Sequence, residues 1–185
     1  MSDRPAERYR RVASGFTERI QAVHGDAWSR PAPCDGWVAL DVVRHLVEWV
    51  PPFLADGTGV TVPAGPAVDT DPLGAWLSVS DGIQSLLDVP DQASSTFDHP
   101  MVGQHRVDDA VMTFILTDVL IHTWDLARAC GLDEALEPAE VDRMFEGIHE
   151  VDEMLRESGH YGPKVDVAPT AAVQTRLIAF LGRQP

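Results

Sequence analysis

The sequence predicts an all-α protein, a bundle of about four long helices with long connections and short extra helices. Two observations carry this prediction. Over several long segments the apolar residues recur three or four positions apart, which is the spacing that gives a helix one apolar face. Between these segments strong strand signals are absent, and clusters of proline and glycine separate one segment from the next.

The first two helices are predicted from this periodicity. Apolar residues alternate with Arg and Glu over residues 5–24 and indicate an amphipathic helix. Residues 28–37 contain two prolines and a glycine, and we interpret them as a loop of fixed shape. A second helix starts near Ala39, and we expect the pair Pro51 and Pro52 to kink or stop it.

The middle of the chain is predicted to hold one helix between two connections. Residues 54–71 show little periodicity and are interpreted as a connection. Asp71 as the cap and Pro72 in the first turn then begin a third helix. The polar residues 90–106 contain short β-favouring pieces but no convincing pair of strands.

The second half of the chain contains the most apolar predicted helix. This fourth helix begins near Val107 and stops at Gly131, and because it is apolar on nearly every side we expect it to be the most buried helix. A fifth helix is predicted over residues 137–159, and a short last helix over residues 171–181.

Size and charge narrow the class of protein. The 185 residues fit a single domain, residues 1–185, that can bury a core without disulfides. A net charge of −15 repels phosphate backbones and anionic membranes, so we expect neither nucleic acid nor membrane as a partner. No apolar stretch approaches the roughly 20 residues that span a bilayer, and no signal-peptide core follows the N-terminus. We therefore expect a soluble, cytoplasmic protein; a homodimer is compatible with the sequence, which leaves the oligomeric state open.

Ionisable residues interrupt the apolar stripe of the fourth helix. At about 100° per residue, Asp118, His122 and Asp125 share one face with Val111 and Ile115. A carboxylate and an imidazole in a core cost several kcal/mol each if they are unpaired, so this spacing demands a partner. Aspartate oxygen with histidine nitrogen suits Zn²⁺ or another divalent first-row ion, and bundles commonly hold such ions between facing helices.

A third metal ligand has to come from another helix, and His45 on the second helix is the best candidate. It flanks an apolar face, and with His122 it lies inside a strongly apolar helical pattern. In the alternative interpretation, His45 is an interior histidine with satisfied hydrogen bonds, and Asp118 and His122 form an internal ion pair. Residue types and spacing alone leave both interpretations open.

Two further residues near these candidates need an interpretation. Asp125 either orients a metal-binding histidine from outside the ligand set or pairs with Arg128 along the helix, and we favour the first. Cys34 lies in the proline-rich loop without an adjacent base, so we expect a small packing residue. Neither Cys34 nor Cys130 is expected to bind metal or to form a disulfide.

Four segments carry a resemblance to a known family: PAPCDGW, DVVRHLVEW, DVLIHTWDLARACG and QTRLIAFLGRQP. In this order they resemble the DinB-like proteins of the mycothiol-dependent maleylpyruvate isomerase N-terminal type, especially the single-domain actinobacterial branch. The resemblance implies a DinB-like four-helix bundle. It also implies a divalent metal ion, usually zinc with nickel or another first-row metal as the alternative, held by His45, Asp118 and His122.

The function implied by the resemblance is chemistry with a small thiol such as mycothiol and an electrophilic substrate, in a transferase or isomerase. Two departures matter. The family acid is usually Glu, and the shorter Asp118 brings the ion closer to the fourth helix or weakens its binding. The isomerase carries a further C-terminal domain, whereas this chain stops at Pro185, so maleylpyruvate isomerisation itself is not expected. The alternative is a non-catalytic, metal-stabilised ligand-binding or stress-response module, and whether the protein is an enzyme stays open.

Overall fold

Four long helices form the centre of the molecule in a computed structural model that describes residues 3–153 and 162–185. Helices α1 and α2 each pack against both α3 and α4, so the four enclose one core. This arrangement confirms the predicted all-α class. The bounds of these helices are Pro5–Ala22 for α1, Ala39–Thr58 for α2, Pro72–Asp88 for α3 and Val107–Cys130 for α4.

The start of α3 confirms the sequence interpretation of its cap. Asp71 has non-helical backbone geometry, and its Oδ1 accepts a hydrogen bond from the backbone N–H of Gly74 at 2.8 Å. Pro72 occupies the first helical position, where its missing N–H costs no hydrogen bond. The side chain of Asp71 therefore satisfies one of the backbone donors that every helix leaves free at its start.

Helix α2 is longer than the sequence predicted. It continues through Pro51 and Pro52 to Thr58, so the prolines do not stop the helix, and the interpretation of residues 54–58 as part of a connection was wrong. The two prolines remove two backbone donors from the helix. Val50 before them and Leu54 after them are completely buried, and this burial on both sides offsets the lost hydrogen bonds.

A small β-hairpin covers the far end of α2. Strands β1 (Thr96–His99) and β2 (Gly103–Arg106) pair antiparallel, and β1 packs on α2. The prediction that residues 90–106 hold no pair of strands was therefore wrong. Each strand has four residues, and alternation over four residues is too short a signal to distinguish a strand from a loop.

Helix α4 is the apolar helix that the sequence predicted, and it ends at Gly131 in the left-handed conformation. Its residues Val111–Leu116 form a π-helical segment. With 24 residues and a mean hydropathy of 1.3, α4 is long and apolar enough to cross a membrane, so the expectation that no stretch approaches this length was wrong. Within the described residues 72% of its most apolar window is buried in the bundle, which accounts for the composition.

The C-terminal part of the chain adds two helices that pack on each other, α5 (Pro138–Ile148) and α6 (Val173–Phe180). A 3₁₀ turn, His149–Val151, follows α5. The predicted end of this helix near residue 159 lies outside the described residues. Helix α6 confirms the predicted last helix, and its Leu177 and Ile178 are completely buried.

Candidate metal centre

Three side chains from two bundle helices meet at one point. His45 comes from α2, and Asp118 and His122 stand one turn apart on α4. His45 Nε2 lies 3.1 Å from Asp118 Oδ2, and His122 Nε2 lies 3.4 Å from Asp118 Oδ1. One ligand atom from each of the three residues lies within 4.8 Å of the others. The fold therefore brings together the three residues that were predicted from the sequence as metal ligands. Metal binding itself stays a prediction.

The packing of α2 on α4 sets these positions. Leu46 and Val119, the residues directly after His45 and Asp118, are completely buried. A helix turns by about 100° per residue. His45 and Asp118 therefore lie at the edge of the interface between α2 and α4, next to these buried residues. The π-helical segment lies directly before Thr117 and Asp118. Such segments shift the register of the residues that follow and are frequent at functional sites.

The cluster is more exposed at His45 and Asp118 than at His122. The side chain of His45 is 33% exposed and that of Asp118 22%, whereas that of His122 is 6% exposed. An exogenous molecule can therefore approach between His45 and Asp118. In zinc proteins, three protein ligands with one open position are typical of catalytic sites, whereas structural sites are usually closed by four protein ligands.

Two tryptophans that sequence reasoning missed contact the cluster. Trp49 donates its indole N–H to Asp118 Oδ2 at 2.9 Å. The ring of Trp37 stacks on His122 with centroids 5.8 Å apart and planes 20° apart. A signal for Trp49 exists in the sequence, because it follows His45 by four residues and therefore stands on the same helix face.

Asp125 contacts the far side of the His122 ring. Its Oδ2 lies 3.0 Å from His122 Nδ1, and its two oxygens accept hydrogen bonds of 2.8 Å from Nε and Nη2 of Arg183. The alternative pair with Arg128 was wrong, because Arg128 pairs with Glu134 instead. Arg183 was missed from the sequence. Its only signal was its place in the last of the four segments that carry the resemblance.

Cys34 lies beside the same carboxylate. Its Sγ is 3.5 Å from Asp125 Oδ2 and 3.7 Å from Arg183 Nη2. The expectation that no base is adjacent was wrong, because Cys34, His122 and Asp125 form a second group of ligand atoms within 4.8 Å. The guanidinium that already pairs with Asp125 opposes a second cation there, so the group around Asp118 is the better candidate. Both cysteines are free thiols, as predicted.

The charges of the cluster shift its pKa values. Burial alone would raise the pKa of Asp118, but the charge and hydrogen bonds of His122 and His45 lower it below its usual range. Burial alone would lower the pKa of His122, yet the charge and hydrogen bond of Asp118, with hydrogen bonds to Asp125 and Cys34, raise it well above its usual value. For Asp125 the hydrogen bonds from His122 and Arg183 outweigh burial and lower the pKa. The raised pKa favours the imidazolium form of His122 between the two carboxylates when no ion is bound.

A cavity of about 210 Å³ lies on the opposite side of α4, lined among others by Leu120 and Thr123. Two arginines that line this cavity already form hydrogen bonds or an ion pair with other residues. Arg19 donates to the backbone oxygens of Asp133 and Ala135, and Arg11 pairs with Asp3. The ionisable cluster therefore remains the stronger candidate site.

One family model matches the chain. Residues 9–127, more than half of the chain, match the model of the mycothiol maleylpyruvate isomerase N-terminal domain. Curated relatives include two uncharacterized proteins of Mycobacterium tuberculosis, one from strain CDC 1551 / Oshkosh and one from strain H37Rv. Each is 29% identical to this chain over 188 residues that cover 97% of both sequences. No solved structure matches the chain.

Proposed function

The chain belongs to the mycothiol maleylpyruvate isomerase N-terminal domain family, and we propose that it binds one divalent metal ion through His45, Asp118 and His122 and uses it to activate a small thiol. The observation that carries this proposal is the meeting of two imidazoles and one carboxylate from two helices, with their ligand atoms within 4.8 Å. Zinc is the ion that this set of nitrogen and oxygen ligands fits best.

The residues present fit such an ion. His45 Nε2 and His122 Nε2 each lie against a different oxygen of Asp118, so both ring nitrogens face the same carboxylate. Neutral histidine and aspartate are ordinary zinc ligands, and the open side between His45 and Asp118 supplies room for an added ligand. A divalent ion held there lowers the pKa of a coordinated thiol, which makes the thiolate available as a nucleophile near neutral pH.

The surrounding side chains orient the ligands and exclude water. Asp125 accepts the Nδ1–H of His122, which leaves Nε2 as the nitrogen that faces the cluster. Trp49 fixes one oxygen of Asp118 by its indole N–H. Trp37 covers the face of the His122 ring. The ligands on the buried side are therefore held in place, and the exchange of small molecules is restricted to the side of His45.

The proposed reaction class is transfer or isomerisation through a thiol adduct, with a mycothiol-type thiol as the thiol partner. The thiolate sulfur forms a bond to an electrophilic carbon of the substrate. In a transferase the leaving group departs with the electron pair. In an isomerase the addition breaks the π bond of a carbon–carbon double bond conjugated to a carbonyl, and the electron pair moves to the carbonyl oxygen. After rotation about the remaining single bond the pair returns, the double bond re-forms and the sulfur leaves as thiolate.

A second candidate is a non-catalytic module in which the ion stabilises the bundle. It is favoured by the origin of the ligands, because an ion bound by His45 and His122 would crosslink α2 and α4. Metal binding then contributes to folding free energy, as in structural metal sites. Consumption of an electrophile together with a thiol separates this candidate from the enzyme.

Metal content tests the proposal. The protein purified without chelators is expected to contain one divalent ion per chain by elemental analysis, and His122→Ala is expected to contain none. His24→Ala is the control, because His24 is an exposed histidine outside the cluster. Cobalt substitution then tests the chemistry, since a thiol bound to Co²⁺ gives a charge-transfer absorption. Unchanged metal content in His122→Ala would contradict the proposal.

A further inference from the structure

We infer that Arg183 is a positioning residue of this centre, which fixes the carboxylate of Asp125 and through it the imidazole of His122. The inference rests on the proposed function, because it assigns a role toward the ion that His122 is proposed to bind. Arg183 lies beyond residues 9–127, the span that the family match covers. The C-terminal segment of this chain therefore adds a residue to a site whose candidate metal ligands, His45, Asp118 and His122, lie inside that span.

The contact between Arg183 and Asp125 fixes the carboxylate in both position and rotation. Nε of Arg183 donates to Oδ1 and Nη2 donates to Oδ2, each at 2.8 Å. The side chain of Arg183 is 11% exposed and that of Asp125 is 0% exposed. Two parallel charge-assisted hydrogen bonds in a buried place leave the carboxylate one orientation.

The same carboxylate sets the direction of the histidine ring. Oδ2 of Asp125 lies 3.0 Å from Nδ1 of His122, and Nε2 on the other side of the ring faces Asp118. Partners of this kind orient a metal-binding histidine and tune its affinity for the ion. A carboxylate that can rotate no longer holds the ring at one angle, so the position of Nε2 depends on Arg183.

The backbone holds Arg183 in place independently of its side chain. After α6, the N–H of Gly182 donates to the carbonyl oxygen of Ala179 at 3.0 Å, and the N–H of Arg183 donates to that of Ile178 at 3.1 Å. These two bonds are the Schellman motif of a helix C-terminus. Gly182 has a φ of +85°, and a Cβ there would lie 2.8 Å from the backbone of Gly162. The turn therefore presents Arg183 from a rigid position.

When His122 binds an ion as the neutral ring, loss of the guanidinium leaves the buried carboxylate of Asp125 without a cationic partner among the described residues. Among the residues that the structure describes, Asp125 would retain the His122 ring and the thiol of Cys34. An uncompensated buried charge is strongly unfavourable, and the local structure rearranges to relieve it. We expect the rearrangement to disturb the orientation of His122 and to weaken metal binding while the bundle stays folded.

Metal affinity in Arg183 variants tests the inference. Zn²⁺ affinity is measured by competition with a chromophoric chelator, and the ligand-field spectrum of the Co²⁺ protein reports ligand geometry. Arg183→Ala and Arg183→Lys are each expected to bind Zn²⁺ about 10- to 100-fold more weakly and to shift the Co²⁺ spectrum. Arg183→Lys keeps the charge but lacks the two-bond fork, so it separates positioning from charge alone. Asp125→Asn is expected to give the same pattern.

Arg128→Ala is the matched control, because it removes an arginine whose partner is Glu134 rather than Asp125. Its affinity and Co²⁺ spectrum are expected to be those of the wild type. Wild-type affinity and spectrum in folded Arg183→Lys would overturn the inference and leave the proposed function standing. A wild-type protein that binds no divalent ion would instead remove the proposed function, and the inference with it.

Discussion

Trp49 donates its indole N–H to Oδ2 of Asp118 at 2.9 Å, across the contact between α2 and α4. His45 stands one turn earlier on α2 and lies 3.1 Å from the same oxygen. The other oxygen, Oδ1, faces His122. The two oxygens of Asp118 therefore have different partners. Trp49, which looks like a core residue in the sequence, restrains the orientation of this proposed metal ligand.

The first prediction concerns this indole. Trp49→Phe keeps an aromatic side chain but removes the indole N–H that donates to Asp118. We therefore expect Zn²⁺ affinity to fall by about 10-fold or more. Trp76→Phe is the control, since it removes a comparable 2.9 Å bond, to Thr17, in a different part of the bundle. That control is expected to lose stability in denaturant but to keep its metal affinity. Equal affinities in the two variants would contradict a role of Trp49 toward Asp118.

The second prediction concerns the cysteines. The variant with both Cys34→Ser and Cys130→Ser is expected to fold and to keep one metal ion per chain, because the ligand set of the proposal contains no thiolate. A serine hydroxyl at position 34 can still donate to Asp125. Circular dichroism and elemental analysis check both statements. If metal is lost, Cys34 belongs to the ligand set and the group with His122 and Asp125 is the real site.

The third prediction is a proton release on metal binding. The pKa of His122 is raised well above its usual value in the protein without an ion, chiefly because the charge of Asp118 outweighs burial. The ring is then protonated at pH 7, whereas a metal ion binds the neutral form. We therefore expect binding to release about one proton and Zn²⁺ affinity to fall as the pH falls.

Calorimetric titration in buffers of different ionisation enthalpy measures this proton number. The raised pKa of His122 also determines how the stability of the metal-free protein depends on pH. A raised pKa in the folded state stabilises the metal-free protein fully at pH values below the pKa of the unfolded chain, and this contribution is lost as the pH rises through the folded value. A heat of binding that does not depend on the buffer would show that His122 carries no proton to release.

The fourth prediction compares two glycines with positive φ. Gly131→Ala meets no atom within 4 Å, so it is expected to cost about 1 to 2 kcal/mol from the left-handed backbone alone. Gly182→Ala carries the same backbone cost and also drives a Cβ to 2.8 Å from the backbone of Gly162. Denaturant unfolding with a chelator present should rank Gly182→Ala as the less stable variant. Equal unfolding free energies would mean that the backbone at Gly162 can move away from the added Cβ without a measurable loss of stability.

The sequence was sufficient to predict what depends on one helix at a time. The stripe of Asp118, His122 and Asp125 follows from the 3.6-residue period, because all three residues stand on a single helix. His45 could be selected because an apolar face shows which side of α2 enters the bundle. The capping of α3 by Asp71 is also local, since cap and helix are contiguous.

Other features depend on parts of the chain that are distant in sequence. The contacts of Cys34 and Arg183 with Asp125 arise when a loop and the C-terminal segment close over α4, and no periodicity encodes that closure. The continuation of α2 through Pro51 and Pro52 depends on burial against other helices, which outweighs the local preference of proline. That the chain forms one domain and lies in the cytoplasm stays a prediction.

The bond between Arg183 and Cys34 joins residues 149 positions apart, and this separation bears on the order of assembly. Closing so long a loop costs entropy that grows with its length, and contacts between distant residues slow folding. The contact between Cys34 and Arg183 beside Asp125 is therefore expected to close after helices α2 and α4 have met and brought His45 to Asp118, a contact that spans only 73 positions. In a refolding chain we expect high-affinity metal binding to develop later than helix formation. The last step of folding is then also the step that allows the centre to bind its ion tightly.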